Sequence, residues 1–161
     1  MDMQQLFTIQ KQLDETILKN HHLYDQDLVP AKVLALEVEL GELANETRCF
    51  KFWSTKTSSP KAVVLEEFVD CLHFLLSIGL DKNFHNREFQ GTNNDHNLLQ
   101  QFQEVLKLST EFYQSLSEEG YTQLFEGFLA LGIKLGFTFD EIKEAYLMKN
   151  QINHQRQADG Y

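Results

Sequence analysis

The sequence predicts an all-α fold: a single domain, residues 1–161, built as a bundle of about six helices. Three observations predict it. Apolar residues recur at steps of three and four almost throughout, the period of an amphipathic helix. Only two prolines and eight glycines punctuate the chain, too few for long linkers. No stretch of convincing length alternates with the period of two that a strand requires. The chain is 42% hydrophobic and carries 13 Phe, enough for an aromatic-rich core.

Each helix has its own signal. Leu6, Ile9, Leu13 and Ile17 mark a first helix near residues 3–20. Val33, Leu36, Leu40 and Leu43 share one face of a second, from about Val29 to Thr47. Ser59 followed by Pro60 reads as an N-cap and first helical position for a third, running to about Leu80. Residues 81–94 are rich in turn formers and read as a loop. Asp95 is the expected cap of a fourth helix reaching Leu116, and Gly120 the expected break before a fifth. Tyr121, Leu124, Phe128, Leu131 and Leu135 line that fifth helix, with Gly136 as its stop. Thr138 and Glu141 form a capping box for a sixth, through about Gln157.

Charge narrows the function. Fourteen basic residues against 24 acidic ones give a net charge of −10. Binding to a nucleic acid backbone needs clustered Lys and Arg, so nucleic acid is not an expected partner. A small anion remains admissible if metal ions sit between it and the protein. Cys49 and Cys71 are isolated thiols and make neither a disulfide framework nor a zinc cluster. Residues 1–20 carry no export signal, and the longest apolar stretch, Leu72 to Leu80, is too short to span a bilayer. A cytoplasmic location without membrane contact is the expectation.

The chemistry lies in two acidic pairs, Glu39-x-x-Glu42 and Glu67-x-x-Asp70. On a wheel with Leu36 at zero, Glu42, Glu46 and Glu39 fall at about 240°, 280° and 300°, bordering the apolar stripe. Glu37 falls at about 100° and reads as a solvated surface acid. The third helix is apolar on most sides, with Glu66, Glu67, Asp70 and His73 as a narrow polar stripe. Carboxylates three residues apart on a helix are neighbours and repel. A hard divalent cation relieves that repulsion. Magnesium takes oxygen ligands and completes its shell with water and substrate phosphates. A di-iron carboxylate site normally uses Glu-x-x-His pairs on two helices. Here Asp70-x-x-His73 occurs once, which disfavours it. On the sixth helix Tyr146, Lys149, Asn150, Asn153, Arg156 and Gln157 share one face, with cations and amides suited to phosphate and nucleotide contacts.

The segments LALEVELGELANETRCFKFW, LEEFVDCLHFLLSIG and YLMKNQINHQRQADGY resemble the dimeric dUTPases, of the all-alpha nucleotide pyrophosphatase (MazG-like) superfamily. The acidic pairs are shared across that superfamily. The Phe-Lys-x-Trp run and the Lys-Asn-x-x-Asn-x-x-Arg-Gln ending are closer to the dUTPase branch. The resemblance implies that Glu39, Glu42, Glu67 and Asp70 ligate magnesium, with manganese an alternative. It implies hydrolysis of dUTP to dUMP and pyrophosphate, with dUDP as a second substrate, by a homodimer. The apolar load on helices three to five fits such a dimer interface.

Further roles follow from setting residues beside the family pattern. Glu39 and Glu42 are also the catalytic candidates, as acceptors of the attacking water's proton. Lys149, Asn153 and Arg156 would hold phosphate, and Tyr161 would close over bound nucleotide. Lys51 and Trp53 are expected at the mouth of the acidic site, against the nucleotide. His73 would contact deoxyribose or hydrogen-bond Asp70. The family reads the uracil edge with a Gln and an Asn on the first helix. Gln10 fits, with Gln12 as alternative, but Asp14 stands where the Asn aligns. An amide both donates and accepts, whereas a carboxylate only accepts. Two other readings stand beside this one: a house-cleaning pyrophosphatase for dCTP or a damaged nucleotide, and a non-catalytic helical interaction protein. Glu42→Gln is expected to abolish pyrophosphate release while leaving the circular dichroism spectrum helical; near-normal turnover would remove Glu42 from the site.

Overall fold

The computed structural model describes residues 3–161, and the helices account for most of them. They are α1 (Gln4–His21), α2 (Val29–Thr47), α3 (Lys61–Asp81), α4 (Leu98–Ser115), α5 (Glu118–Lys134) and α6 (Phe139–Ala158), with no strand among the described residues. The six expected helices are all present. None is long and apolar enough to cross a membrane.

The helix ends show where local signals compete. Ser59 does not cap α3: its hydroxyl donates to the Glu46 carboxylate of α2, and Pro60 is the N-cap without a side-chain bond. Asp95 yields to Asn97, which accepts from the Gln100 amide at 2.9 Å while Gln100 reaches back to the Asn97 N–H. That reciprocal box satisfies two donors, which a single upstream Asp does not. Gly120 is no break. Ser117 caps α5 and accepts from the Gly120 N–H, so Gly120 lies in the first turn. The chain turns instead at Leu116, with φ 46°. Gly136, at φ 74°, ends α5 as its sequence context indicates, and the Thr138–Glu141 capping box opens α6.

α3 is the central element and packs against α1, α2, α5 and α6. Its Phe68 stacks on Phe128 of α5 at 4.2 Å, and Phe89 of the α3–α4 loop stacks on Phe125 at the same spacing. Tyr121 is wholly buried and donates from its hydroxyl to the Leu75 carbonyl at 2.8 Å. That donation satisfies the one polar atom an otherwise apolar contact would orphan. The apolar residues of α3 to α5 are largely consumed in this internal core: Phe68, Leu72, Val105, Phe112, Leu124 and Phe128 are all buried within one chain. The apolar load therefore gives no argument for a dimer interface. Glu37 is likewise not a free surface acid, since it accepts from buried Ser109 of α4 at 3.0 Å and ties α2 to α4.

Gly79 lets Tyr121 cross α3 closely: a Cβ there would sit 2.2 Å from the Tyr121 hydroxyl oxygen. Gly79→Ala is expected to cost about 1–3 kcal/mol through overpacking, measured as a lower urea midpoint. An unchanged midpoint would mean that the ring has room to withdraw.

Candidate active site

α1, α2, α3 and α6 surround a cavity of about 300 Å3. Two turns of α2 and two of α3 run along it, and this sets its polarity. Lys32 precedes Glu39 by seven residues and Ser77 follows Asp70 by seven, so each pair lies on one helical stripe. Glu39 and Asp70 line one end together with Lys149, Asn153 and Arg156 of α6. Asp14, Lys32 and Ser77 line the remainder, with Ile17, Leu28 and Phe74 as apolar wall.

The acidic end brings three of the four expected ligands together. Glu39, Glu67 and Asp70 each offer a carboxylate oxygen, and these lie within 4.8 Å of one another. Burial pushes the Glu39 carboxyl up to about 7, assisted by repulsion from Asp70, Glu42 and Glu67 and partly offset by Lys149. Burial and the neighbouring acids also raise Glu67. Asp70 is raised by burial, against the pull of its Lys149 hydrogen bond. Glu42 is exposed and stands outside the triad, acting on it through charge. Lys149 donates to Asp70 at 2.6 Å and to Glu66 at 3.0 Å. Burial opposes its charge, yet those bonds hold it above the ordinary lysine range. Glu66 thus serves to anchor Lys149, and Glu46 to anchor Ser59.

The other end is a hydrogen-bonded chain that the sequence did not show. Gln10 accepts at Oε1 from the Tyr146 hydroxyl and from His73 Nδ1, both at 2.7 Å, and donates from Nε2 to Asp14 at 2.8 Å. Ser77 donates to the other Asp14 oxygen at 2.7 Å. These partners fix the orientation of the Gln10 amide and place the His73 proton on Nδ1. His73 stacks on Tyr146 at 4.3 Å and is pushed down to about 3, by burial and then by the Lys149 charge, so it is neutral. Its Nε2 is buried and has no hydrogen-bond partner among the described residues. The expected His73–Asp70 bond is not made, because Gln10 takes Nδ1 and Lys149 takes Asp70. Asp14 is raised by burial, against Lys32, Ser77 and Gln10.

Several expected contacts fall elsewhere. Gln12 is exposed, so Gln10 is the helix-one amide that meets the cavity. Lys51 donates to Asn45, and Trp53 is 65% exposed against Phe52 and Phe50; neither lines the cavity. The loop after α2 has turned these side chains outward. Tyr161 is also exposed, 5.5 Å from the Arg156 guanidinium, and lines a separate shallow pocket with Gln157. Tyr146 and Asn150, expected on a polar face, are buried against α3 and α1. Lys32 and Ser77 were not anticipated. Their seven-residue spacing from Glu39 and Asp70 is the signal that could have found them.

The chain matches the family model described as dUTPase over residues 2–161. No curated protein matches it.

The raised carboxyls have a consequence for stability. A folded-state pKa above the unfolded value favours the fold below the unfolded pKa, near 4.5 for Glu39. That contribution is lost as pH rises through about 7. Without divalent cations, the melting temperature should therefore fall between pH 5 and pH 8, by less in Glu39→Gln. An equal fall in both proteins would show that Glu39 is not the source.

Proposed function

Since this chain belongs to the dUTPase family, matched over residues 2–161, it is a dUTP diphosphatase, and we propose that it works with magnesium in this cavity, releasing dUMP and pyrophosphate. The observation that carries the proposal is the triad of Glu39, Glu67 and Asp70 oxygens within 4.8 Å of one another at the acidic end of the cavity, which Glu39 and Asp70 line. Oxygen donors whose carboxyls are raised by burial, and in Glu39 and Glu67 also by neighbouring acids, suit a hard divalent cation. Glu39, Glu67 and Asp70 would hold it, with Glu42 joining from its exposed position one turn along α2. Magnesium, or manganese in its place, neutralises phosphate charge and lowers the pKa of a coordinated water.

The side chains divide the remaining work. Lys149 already lies between Asp70 and Glu66, so it can pass a hydrogen bond from Asp70 to a phosphate oxygen. Arg156 offers a planar fork for a second phosphate contact, beside Asn153. Glu42, exposed one turn along α2, or Glu39 itself would take the proton of the attacking water. His73 presents a bare Nε2 as acceptor for a deoxyribose hydroxyl. Gln10 and Asp14 face the base. dUDP, with the same nucleoside and one phosphoanhydride, is a second substrate.

A homodimer of single-domain chains belongs to the same reading. Support comes from α2, where Leu34 is 63% and Val38 52% exposed on one stripe. Gly41 continues that stripe, and a Cβ there would meet nothing within 4 Å. A second copy resting on α2 would bury these residues and bring its own chain close to the exposed loop of Lys51 and Trp53. In that arrangement Lys51, Trp53 and Tyr161 would meet nucleotide only on closure or assembly.

Pyrophosphate release from a panel of deoxynucleoside triphosphates, with and without magnesium, tests the proposal. dUTP should be the preferred substrate and chelation should stop turnover. Glu39→Gln should lose about 100-fold or more in kcat with its melting temperature retained. A preference for dCTP, or turnover indifferent to chelators, would overturn the assignment.

A further inference from the structure

Lys32 lines the same cavity as Asp14, and the mechanism above gives it no task. It lies on α2 two turns before Glu39, about 10 Å along the helix axis from the acidic end. A nucleotide with its phosphates at the carboxylates can reach that far. The Lys32 side chain is only 15% exposed, so it is packed along the cavity rather than extended into water. Its ammonium donates to Asp81 at 2.5 Å, which holds it in place and leaves two of its three N–H groups.

Asp14 faces the same space and is equally constrained. One oxygen receives Gln10 and the other receives Ser77, so the carboxylate cannot swing away. Each oxygen keeps lone-pair capacity, but a carboxylate has no proton to donate. Gln10 cannot supply an acceptor, because its carbonyl oxygen already takes Tyr146 and His73. This end of the cavity therefore carries a fixed acceptor in Asp14 and a strong donor in Lys32, set in an apolar wall.

A uracil edge presents a ring N–H flanked by carbonyl oxygens. A cytosine edge presents a bare ring nitrogen beside an amino group. With Asp14 held at the ring nitrogen and Lys32 at the 4-position, the pair complements uracil and meets a bare nitrogen and an amino group in cytosine. We propose that Lys32 is a specificity-determining residue: its ammonium donates to the 4-carbonyl oxygen of the base while Asp14 accepts the ring N–H, which selects uracil over cytosine. The inference rests on the reading of this cavity as the dUTP site. Its energetic basis is the cost of setting a desolvated ammonium N–H against an amino group and a carboxylate oxygen against a ring lone pair, which lets a polar site reject a near-isostere.

The test compares kcat/KM for pyrophosphate release from dUTP and from dCTP in the wild type, Lys32→Met and Asp81→Asn. Wild type should favour dUTP. Lys32→Met should lose roughly 10- to 100-fold with dUTP, mostly through KM. Its loss with dCTP should be far smaller, so the dUTP:dCTP ratio collapses. Asp81→Asn removes the negative charge but keeps an amide oxygen to accept from Lys32, and should keep the ratio. Should Lys32→Met not fold, Lys32→Leu is read in the same way. A wild-type ratio in the Lys32 variant would overturn the proposal and leave the dUTPase reading intact. Equal losses in the Lys32 and Asp81 variants at unchanged ratio would make Lys32 a structural strut and overturn it as well. Failure of the wild type to hydrolyse dUTP would sink the site reading, and the role of Lys32 with it.

Discussion

Glu39, Glu67 and Asp70 hold carboxylate oxygens within 4.8 Å of one another where α2 meets α3. At that spacing, and partly withdrawn from water, like charges repel strongly. The rest of the molecule is arranged to hold them there. α3 is clamped from four sides, and its Phe68, Leu72 and Leu75 are fully buried. The backbone positions of the acids are therefore fixed by that core. Their relief comes from raised proton affinity and from Lys149, which α6 carries in from the far end of the sequence.

The same rigidity is used differently at the opposite end of the cavity. There the buried polar groups are neutral or singly charged, and they satisfy one another. Tyr146, His73, Gln10, Asp14 and Ser77 form one connected set across α6, α3 and α1. In such a network each bond removes an alternative orientation from its neighbour. The Gln10 amide cannot flip, the His73 tautomer is fixed, and Asp14 presents a defined pair of acceptors. A flexible substrate thus meets a site whose donors and acceptors are already oriented, which lowers the cost of ordering them on binding.

The helix ends illustrate why sequence signals succeed or fail. Thr138 with Glu141 is a two-way exchange of hydrogen bonds, and no other partner competes for either side chain except Lys61, which reinforces Glu141 from outside. Ser59 is equally good as a cap in isolation, but its hydroxyl is turned to donate a hydrogen bond to the Glu46 carboxylate thirteen residues earlier. Local rules hold where the competing partner is also local. The acidic pairs were legible for a related reason, since a step of three residues puts two carboxylates on one face whatever the helix packs against. Trp53 and Lys51 were not, because a loop side chain has no periodicity to fix its direction.

The sequence by itself determined the six helices, the acidic stripes on α2 and α3 and the family, because periodicity and short motifs are properties of neighbouring residues. Tertiary structure alone decided which of those residues meet. It set Glu39 against Asp70, joined Gln10 to Tyr146 across 136 positions of sequence, and brought Lys32 and Asp14 to one cavity. It also withdrew His73 from Asp70 and turned Trp53 outward. The reason is that hydrogen bonding and burial are settled by competition among all groups within reach, and reach is defined only once the helices have packed.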